Sequence, residues 1–247
     1  PRNAAALVGM GNLAAARGRH EEAAACFSKA LDAAPGSIAS LVNRGAALRR
    51  LGRLEASLAD LDRAVARAPS MAEAQFQRAA TLRMAARFDE AAASFRAALA
   101  LAPMRTDIHR DYAAMMFEAG RQGQAFSVLD GAIAAQPSSA LLTARGELSL
   151  LFGDVAGALA AADRALALNP DDALALGLAA AAARQTGAME RALDAARRAS
   201  SLAPGDFSLL HLCCEVELAS GLAAAAARRL AGPAPPAHLQ KHIALKA

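Results

Sequence analysis

The sequence predicts an all-α fold built from stacked helical hairpins, and three observations support this prediction. Hydrophobic residues make up 55% of the 247 residues but aromatic residues only 4%, and the apolar residues are mostly Ala and Leu, which favour helix. Six prolines recur at a nearly constant spacing, and a Gly or Ala recurs at a fixed point between them. A regular period of this kind indicates one helical unit repeated along the chain.

The prolines set the length of the unit. Between Arg2 and Gly232 every proline belongs to one series, in which four spacings are 34 residues and one is 33. Proline ends a helix because it lacks an N–H group and clashes with the preceding turn. We therefore expect each unit to close at its proline. The series is Pro35, Pro69, Pro103, Pro137, Pro170 and Pro204.

A helix-stopping residue divides each unit into two helices. Glycine is the residue type that most often ends a helix, so each unit is predicted to be two helices of about 13 residues joined by a turn. The residues at this point are Gly18, Gly52, Ala86, Gly120, Gly153, Gly187 and Gly221.

Small residues recur in the second helix of every unit and would allow helices to approach closely. One series is Ala23, Ser57, Ala91, Ala125, Ala158, Ala192 and Ala226, and another is Ala30, Ala64, Ala98, Ala132, Ala165 and Ala199. Between them stand the bulkier Phe27, Leu61, Phe95 and Leu129. A single hairpin cannot bury its apolar face, whereas stacked hairpins form a one-dimensional solenoid.

This pattern closely resembles the tetratricopeptide repeat (TPR) family. The first repeat carries Leu7, Met10-Gly11, Ala23, Phe27, Ala30 and Pro35 of the family pattern. The resemblance implies a right-handed α–α superhelix of six full repeats and a seventh, partial or capping repeat over residues 3–231. The repeats are expected at about 4–37, 38–71, 72–105, 106–138, 139–172, 173–206 and 207–231, followed by a Pro-rich linker and the start of a further helix at 232–247.

Several classes of function are disfavoured by composition. A net charge of +4 without a basic stripe argues against nucleic-acid binding. The longest apolar run, Ala173–Ala183, is shorter than the roughly 20 residues that cross a membrane. The three cysteines form no C-x-x-C motif, so neither a disulfide framework nor a zinc site is indicated. We expect a cytoplasmic chain with no metal and no cofactor.

The resemblance also implies a binding groove, because TPR arrays line a concave surface with the first helix of each repeat. Asn side chains there could hold a peptide backbone, and Arg could bind a carboxylate. The expected partner is a protein or an extended peptide, including acidic peptides, and the alternative for the Arg residues is a solvated helix face. The candidate groove residues are Asn12, Asn43, Arg49, Phe76, Gln77, Arg83 and Arg110.

One TPR subtype binds the C-terminal carboxylate of chaperones through Lys, Asn, Asn, Lys and Arg. Both Asn residues are present here as Asn12 and Asn43, but Val8, Glu73 and Gln77 stand where the cations are expected. The sequence therefore does not predict chaperone-tail binding.

The groove of repeats five to seven is predicted to be lined by Leu. So much Leu is unusual on a solvated surface. Either an intramolecular or oligomeric contact covers these side chains, or they belong to the core. They are Leu150, Leu151, Leu174, Leu178, Leu212 and Leu218.

Three patterns resemble catalytic or metal-binding motifs but are better explained as ordinary helix residues. His109-Arg110-Asp111 matches catalytic H-R-D and H-x-D motifs, yet it lies inside a predicted helix without the rest of either motif. His238 and His242 lack a third metal ligand nearby. Cys213 and Cys214 stand at helix-packing positions, so buried thiols are expected.

Two functions remain open at this point. The first is an interaction scaffold without catalytic residues. The second is the substrate-selecting accessory region of a larger enzyme, of the glycosyltransferase, sulfotransferase or 2-oxoglutarate oxygenase type, whose catalytic domain lies outside this chain. The start at Pro1 favours a piece of a longer protein.

Overall fold

The computed structural model of the chain describes residues 3–230, and the regular elements within these residues are all α-helices. The all-α prediction is confirmed. The predicted linker and further helix at 232–247 lie outside the described residues. The helices are α1 (Ala4–Ala16), α2 (His20–Ala33), α3 (Ile38–Arg50), α4 (Leu54–Arg67), α5 (Ala72–Met84), α6 (Phe88–Leu101), α7 (Thr106–Glu118), α8 (Gln122–Ala135), α9 (Ser139–Leu151), α10 (Val155–Leu168), α11 (Ala173–Gln185), α12 (Met189–Leu202), α13 (Phe207–Ala219) and α14 (Ala223–Leu230).

The contacts divide the chain into two units, at residues 1–128 and 129–247, and the boundary falls inside α8. In the N-terminal unit α1 packs on α2, α3 on α4 and α5 on α6. In the C-terminal unit the corresponding pairs are α9 with α10, α11 with α12 and α13 with α14. Each unit is thus a stack of helical hairpins, as predicted.

The first helices of successive pairs also contact one another. In the N-terminal unit α1 contacts α3, α3 contacts α5 and α5 contacts α7. The second helices α2, α4 and α6, all within the described part of the chain, make no comparable contacts with one another. The first helices therefore form one closely spaced layer, and we call its outer surface the first-helix face.

The turns between paired helices need a left-handed backbone. Six glycines at the predicted position have φ between 72° and 77°. The seventh turn residue, Ala86, has φ 56°. An alanine in this conformation is strained because its Cβ approaches the following carbonyl oxygen, at a cost of roughly 1–2 kcal/mol.

We expect Ala86→Gly to stabilise the protein by roughly 0.5–1 kcal/mol. Relief of the left-handed strain is partly offset by the larger entropy of the unfolded glycine chain. The reverse change, Gly52→Ala, should cost about 1 kcal/mol, since no atom lies within 4 Å of the added Cβ and only the backbone is strained. Urea unfolding followed by circular dichroism measures both. A loss of stability in Ala86→Gly would contradict this explanation of the turn.

Repeated close approaches join the two helices of a pair. A Cβ built on Gly45 of α3 would lie 2.7 Å from Cγ of Leu61 in α4, and Leu61 is fully buried. Such a distance is too short for packed carbon atoms, so the missing side chain is what admits Leu61.

Two arginines at equivalent positions link neighbouring pairs, and we call them the arginine clamps. Arg44 in α3 donates two hydrogen bonds of 2.7 Å to Asp60 in α4 and one of 3.0 Å to Ser28 in α2. Arg78 in α5 donates to Asp62 in α4 and to Ser94 in α6, each at 2.6 Å. Each clamp joins three helices from two pairs.

Leu178 corrects the prediction for the C-terminal unit. It was expected in the groove but is only 4% exposed, and its Cδ2 covers Gly146 of α9. In the N-terminal unit, Leu61 of the second helix fills the equivalent space over Gly45. In α10 that position is Ala162, which is too small, so Leu178 from the next repeat fills the space instead.

Candidate functional site

A cavity of about 380 Å³ opens on the first-helix face of the N-terminal unit. Four of the predicted groove residues line it, namely Asn12 from α1, Asn43 and Arg49 from α3, and Gln77 from α5. The recurrence of the 34-residue unit places these side chains on neighbouring first helices, which is why they meet. The remaining lining residues are Ala15, His20, Phe27, Ala46, Ala47 and Arg50.

Asn12 and Asn43 form a polar pair at this cavity. The side-chain amide Nδ2 of Asn43 donates a hydrogen bond of 2.9 Å to Oδ1 of Asn12. Within residues 3–230 no partner is found for Nδ2 of Asn12 or Oδ1 of Asn43. The NH2 group of Asn12 and the amide oxygen of Asn43 therefore remain without partners, and a peptide group can satisfy both with its C=O and N–H.

A hydrogen-bond chain runs from Arg49 across α5 to the start of α7. Nη2 of Arg49 donates to Oε1 of Gln77 at 3.1 Å, and Nε2 of Gln77 donates to Glu73 at 2.7 Å. Arg105 then donates to Glu73 at 2.7 Å and to Asp107 at 3.1 and 2.5 Å. Both ends of the Gln77 amide are engaged, so Gln77 orients Arg49.

Arg49 differs from the other half-buried arginines. Each of those has a carboxylate oxygen between 2.5 and 3.7 Å from its guanidinium nitrogens. Arg49 forms no ion pair with any residue that the structure describes, and its Nε is buried without a hydrogen-bond acceptor. The half-buried arginines other than Arg49 are Arg44, Arg78, Arg83, Arg105, Arg121, Arg145, Arg184 and Arg229.

The electrostatic environment of Arg49 disfavours its charge. Burial lowers the pKa of its guanidinium, and the neighbouring Arg50 adds to this effect. Asp111 acts in the opposite direction as a more distant charge. A buried cation without a counterion is costly, so an anion entering the cavity would remove a penalty that the free protein carries.

The other three predicted residues do not line the cavity. Arg83 is paired with Glu118 at 2.7 and 2.5 Å, and this pairing raises the pKa of Arg83 and lowers that of Glu118. The Phe76 ring lies 5.1 Å from the Arg105 guanidinium. Arg110 is exposed on α7, and no hydrogen bond or ion pair links it to the rest of residues 3–230.

Two residues of this region were not predicted. His20 begins α2 and lines the cavity, and its Nδ1 is buried without a hydrogen-bond partner among the described residues. Arg105 precedes α7 and joins Glu73 to Asp107. Both lie outside the first helices, so a rule that reads only first-helix positions misses them. We find no sequence signal that would have identified either residue.

Comparison with known proteins settles the family. Tetratricopeptide-repeat profiles match residues 4–37, 42–103, 81–140 and 144–207, which together are well over half of the chain. The chain belongs to the tetratricopeptide repeat family. No curated protein sequence matches it significantly.

Solved TPR structures share the fold at low sequence identity. A tetratricopeptide repeat protein from Parabacteroides merdae is 20% identical, with 88% of this chain and 85% of that chain covered and a TM-score of 0.68. Pseudomonas aeruginosa pilF is 17% identical, with coverages of 86% and 97% and a TM-score of 0.62. The APC/C hetero-tetramer Cut9-Hcn1 matches at 16% identity, with coverages of 83% and 40% and a TM-score of 0.61.

A second cavity, of about 510 Å³, lies between the second helices α2 and α4 of the first two TPR hairpins. Ala24, Ala25, Ala56 and Ala59 form much of its lining. Its charged side chains are already paired, Arg44 with Asp60 at 2.7 Å and Arg53 with Glu21 at 3.9 Å. The cavity on the first-helix face is therefore the better candidate site, because it has polar groups that lack partners.

The Leu-lined surface of the last three TPR repeats is only partly as predicted. Leu151, Leu174 and Leu218 are between 49% and 65% exposed. Leu150 and Leu212 are half-buried and pack against the core, as Leu178 does more completely. The exposed leucines are thus fewer than expected, since three of the six contribute to the core.

His109 and the two neighbouring cysteines, which resemble catalytic or metal-binding motifs in the sequence, lie on ordinary helices of the TPR fold. A ring nitrogen of His109 is 2.9 Å from the Pro103 carbonyl oxygen, a contact with the turn preceding its own helix. Cys213 and Cys214 are buried, and burial raises the pKa of both thiols. The pair His238 and His242 lies outside the described residues. Of the helices in residues 3–230, none has the length and apolar character needed to span a bilayer.

Proposed function

We propose that this chain is an interaction scaffold that binds an extended segment of a partner protein on the first-helix face of its N-terminal unit. The observation that carries this proposal is the cavity where the NH2 group of Asn12 and the amide oxygen of Asn43 have no partners among the described residues. A peptide group supplies the complementary acceptor and donor, so an extended chain satisfies both residues at once.

One wall of the cavity is preformed, which favours binding. Gln77 is oriented by Glu73, which is itself held by Arg105, so the wall formed by α5 is ordered before a ligand arrives. Ordering side chains in advance reduces the entropy lost on binding. Membership of the TPR family and the presence of a fold neighbour in the Cut9-Hcn1 hetero-tetramer support a role in protein association.

We further propose that the chain acts by binding and supplies no catalytic group of its own. Of the residues that line the cavity, Arg49, Arg50 and His20 are the ionisable ones. An arginine is a poor proton carrier because it stays protonated. An accessory role beside a catalytic domain uses the same binding face and is compatible with this proposal.

Filling the cavity should weaken peptide binding. Ala46 is half-buried and lines the cavity, so we expect Ala46→Trp to weaken binding of peptides selected from a random library by at least about tenfold. The control is Ala59→Trp, which adds the same side chain to an exposed position in the second cavity, between α2 and α4. Fluorescence anisotropy with labelled peptides gives both affinities.

Circular dichroism establishes that each variant is folded before binding is compared. If the wild-type chain selects no peptide, or if Ala59→Trp weakens binding and Ala46→Trp does not, the proposed function is wrong.

A further inference from the structure

The proposed function leaves open what part of a bound segment Arg49 recognises. We infer that Arg49 forms a subsite for the carboxylate of an acidic side chain within the bound peptide. The inference rests on the proposed function, and its basis is the cavity in which a half-buried arginine lacks a counterion.

Arg49 differs from neighbouring arginines in the pairing of its charge. Arg44, Arg78, Arg83 and Arg105 in the same unit each hold a carboxylate within 2.7 Å. Arg49 is buried to a similar degree, yet its contacts are one amide oxygen at 3.1 Å and the Met84 sulfur at 4.0 Å. An arginine offers five N–H donors in a planar fork that matches a carboxylate, so most of this capacity is unused.

Two buried polar groups without hydrogen-bond partners lie around the same cavity. Nε of Arg49 and Nδ1 of His20 are both buried without partners among the described residues, and both residues line the cavity. Burial also lowers the pKa of Arg49, so the cation is disfavoured in the unbound protein. A carboxylate there would accept hydrogen bonds and supply the missing charge, which is a larger gain than at an already paired arginine.

The arrangement favours a side chain over a free C-terminus. Asn12 and Asn43 belong to the first two repeats, Arg49 to the second and Gln77 to the third, so lining residues come before and after Arg49 along the stack. A segment that contacts both sides continues past Arg49 and reaches it with a side chain.

The experiment uses the full chain and a random peptide library displayed away from its C-terminus. We expect the selected peptides to be enriched in Asp or Glu at one position. Replacing that residue by Asn or Gln in a synthetic, C-terminally amidated peptide should weaken binding at least about tenfold, whereas amidation alone should change affinity little.

The matched variants are Arg49→Gln and Arg110→Gln. Arg49→Gln should remove the preference for the acidic residue, so that the acidic and amide peptides bind equally. Arg110→Gln removes the same charge from an exposed position and should keep the preference. Arg49→Lys, which keeps the charge without the planar fork, should retain part of it.

The outcomes separate the two proposals. If no peptide binds, both the proposed function and this inference fail. If peptides bind without an acidic preference, if amidation abolishes binding, or if Arg49→Gln keeps the preference, the inference fails and the proposed function stands. Binding that depends equally on Arg110 would also overturn the inference, because it would show a general charge effect.

Discussion

Replacing Ala98 by Trp is expected to lower the free energy of unfolding by about 3 kcal/mol, towards the upper end of what overpacking costs. Ala98 lies in α6, which packs on both α5 and α7, and the residue is 0% exposed. Alanine occupies the equivalent position of all six repeats that end in the proline series. An indole cannot enter this space unless helices separate, and the separation would be transmitted to the next pair.

The control for Ala98→Trp is the same substitution two residues along the same helix. Ala100 is exposed, so Ala100→Trp should change stability by no more than about 0.5 kcal/mol. The protein contains no Trp, so each variant carries a single fluorescent reporter of its own unfolding. Denaturant titrations by fluorescence and circular dichroism give both midpoints. Equal midpoints would mean that the repeat phase on which the packing depends is misassigned.

Replacing Asp60 by Ala is expected to cost about 3 kcal/mol, because it breaks a largely buried ion pair. The Asp60 side chain is 5% exposed and Arg44 is 23% exposed. Without Asp60 the Arg44 guanidinium loses two hydrogen bonds of 2.7 Å and keeps only its bond to Ser28. The residual exposure of Arg44 places the cost at the lower end of the range for buried pairs.

Asp62→Ala is the matched control for the second arginine clamp. Asp62 lies in the same helix and pairs with Arg78 at 2.6 Å, but its side chain is 55% exposed. A pair of this kind contributes about 0–1 kcal/mol. Urea unfolding of both variants compares a buried carboxylate that accepts two hydrogen bonds with an exposed carboxylate that accepts one. A loss in Asp62→Ala as large as in Asp60→Ala would contradict the assignment of the cost to burial.

The regular part of this fold is predictable from sequence because the physical causes repeat. Pro35 and its successors end second helices, and Gly18 and its equivalents take the left-handed turn that ends first helices. Both effects depend on one residue and its backbone, so the sequence is sufficient to locate them.

Features that depend on several repeats at once were harder to predict. Leu178 was assigned to the groove by its position in the repeat, but Ala162 leaves space over Gly146 and Leu178 fills it. The exception arises from the combined volumes of three residues in two repeats. A position rule considers one residue at a time and cannot detect such compensation.

The candidate site was predicted only in part, because the repeat determines the face on which a residue lies but not its side-chain partners. Asn12, Asn43, Arg49 and Gln77 were placed on one face by the repeat, and they line one cavity. Arg83 is paired with Glu118, which lies 35 residues further along the chain, whereas Arg49 has no counterion. Which of several arginines holds a partner is decided by distances that the sequence does not contain.

We propose above all that the cavity on the first-helix face of the N-terminal unit binds a peptide. Side-chain amide resonances test it most directly, because Asn12, Asn43 and Gln77 line the cavity whereas Asn169 and Gln185 belong to the C-terminal unit. In ¹⁵N-labelled protein titrated with a selected peptide, we expect saturable shifts of the Asn12, Asn43 and Gln77 amide groups and of the Arg49 Nε–H resonance. Asn169 and Gln185 should remain unchanged. Shifts confined to Asn169 and Gln185, with the cavity resonances unmoved at saturation, would contradict the claim.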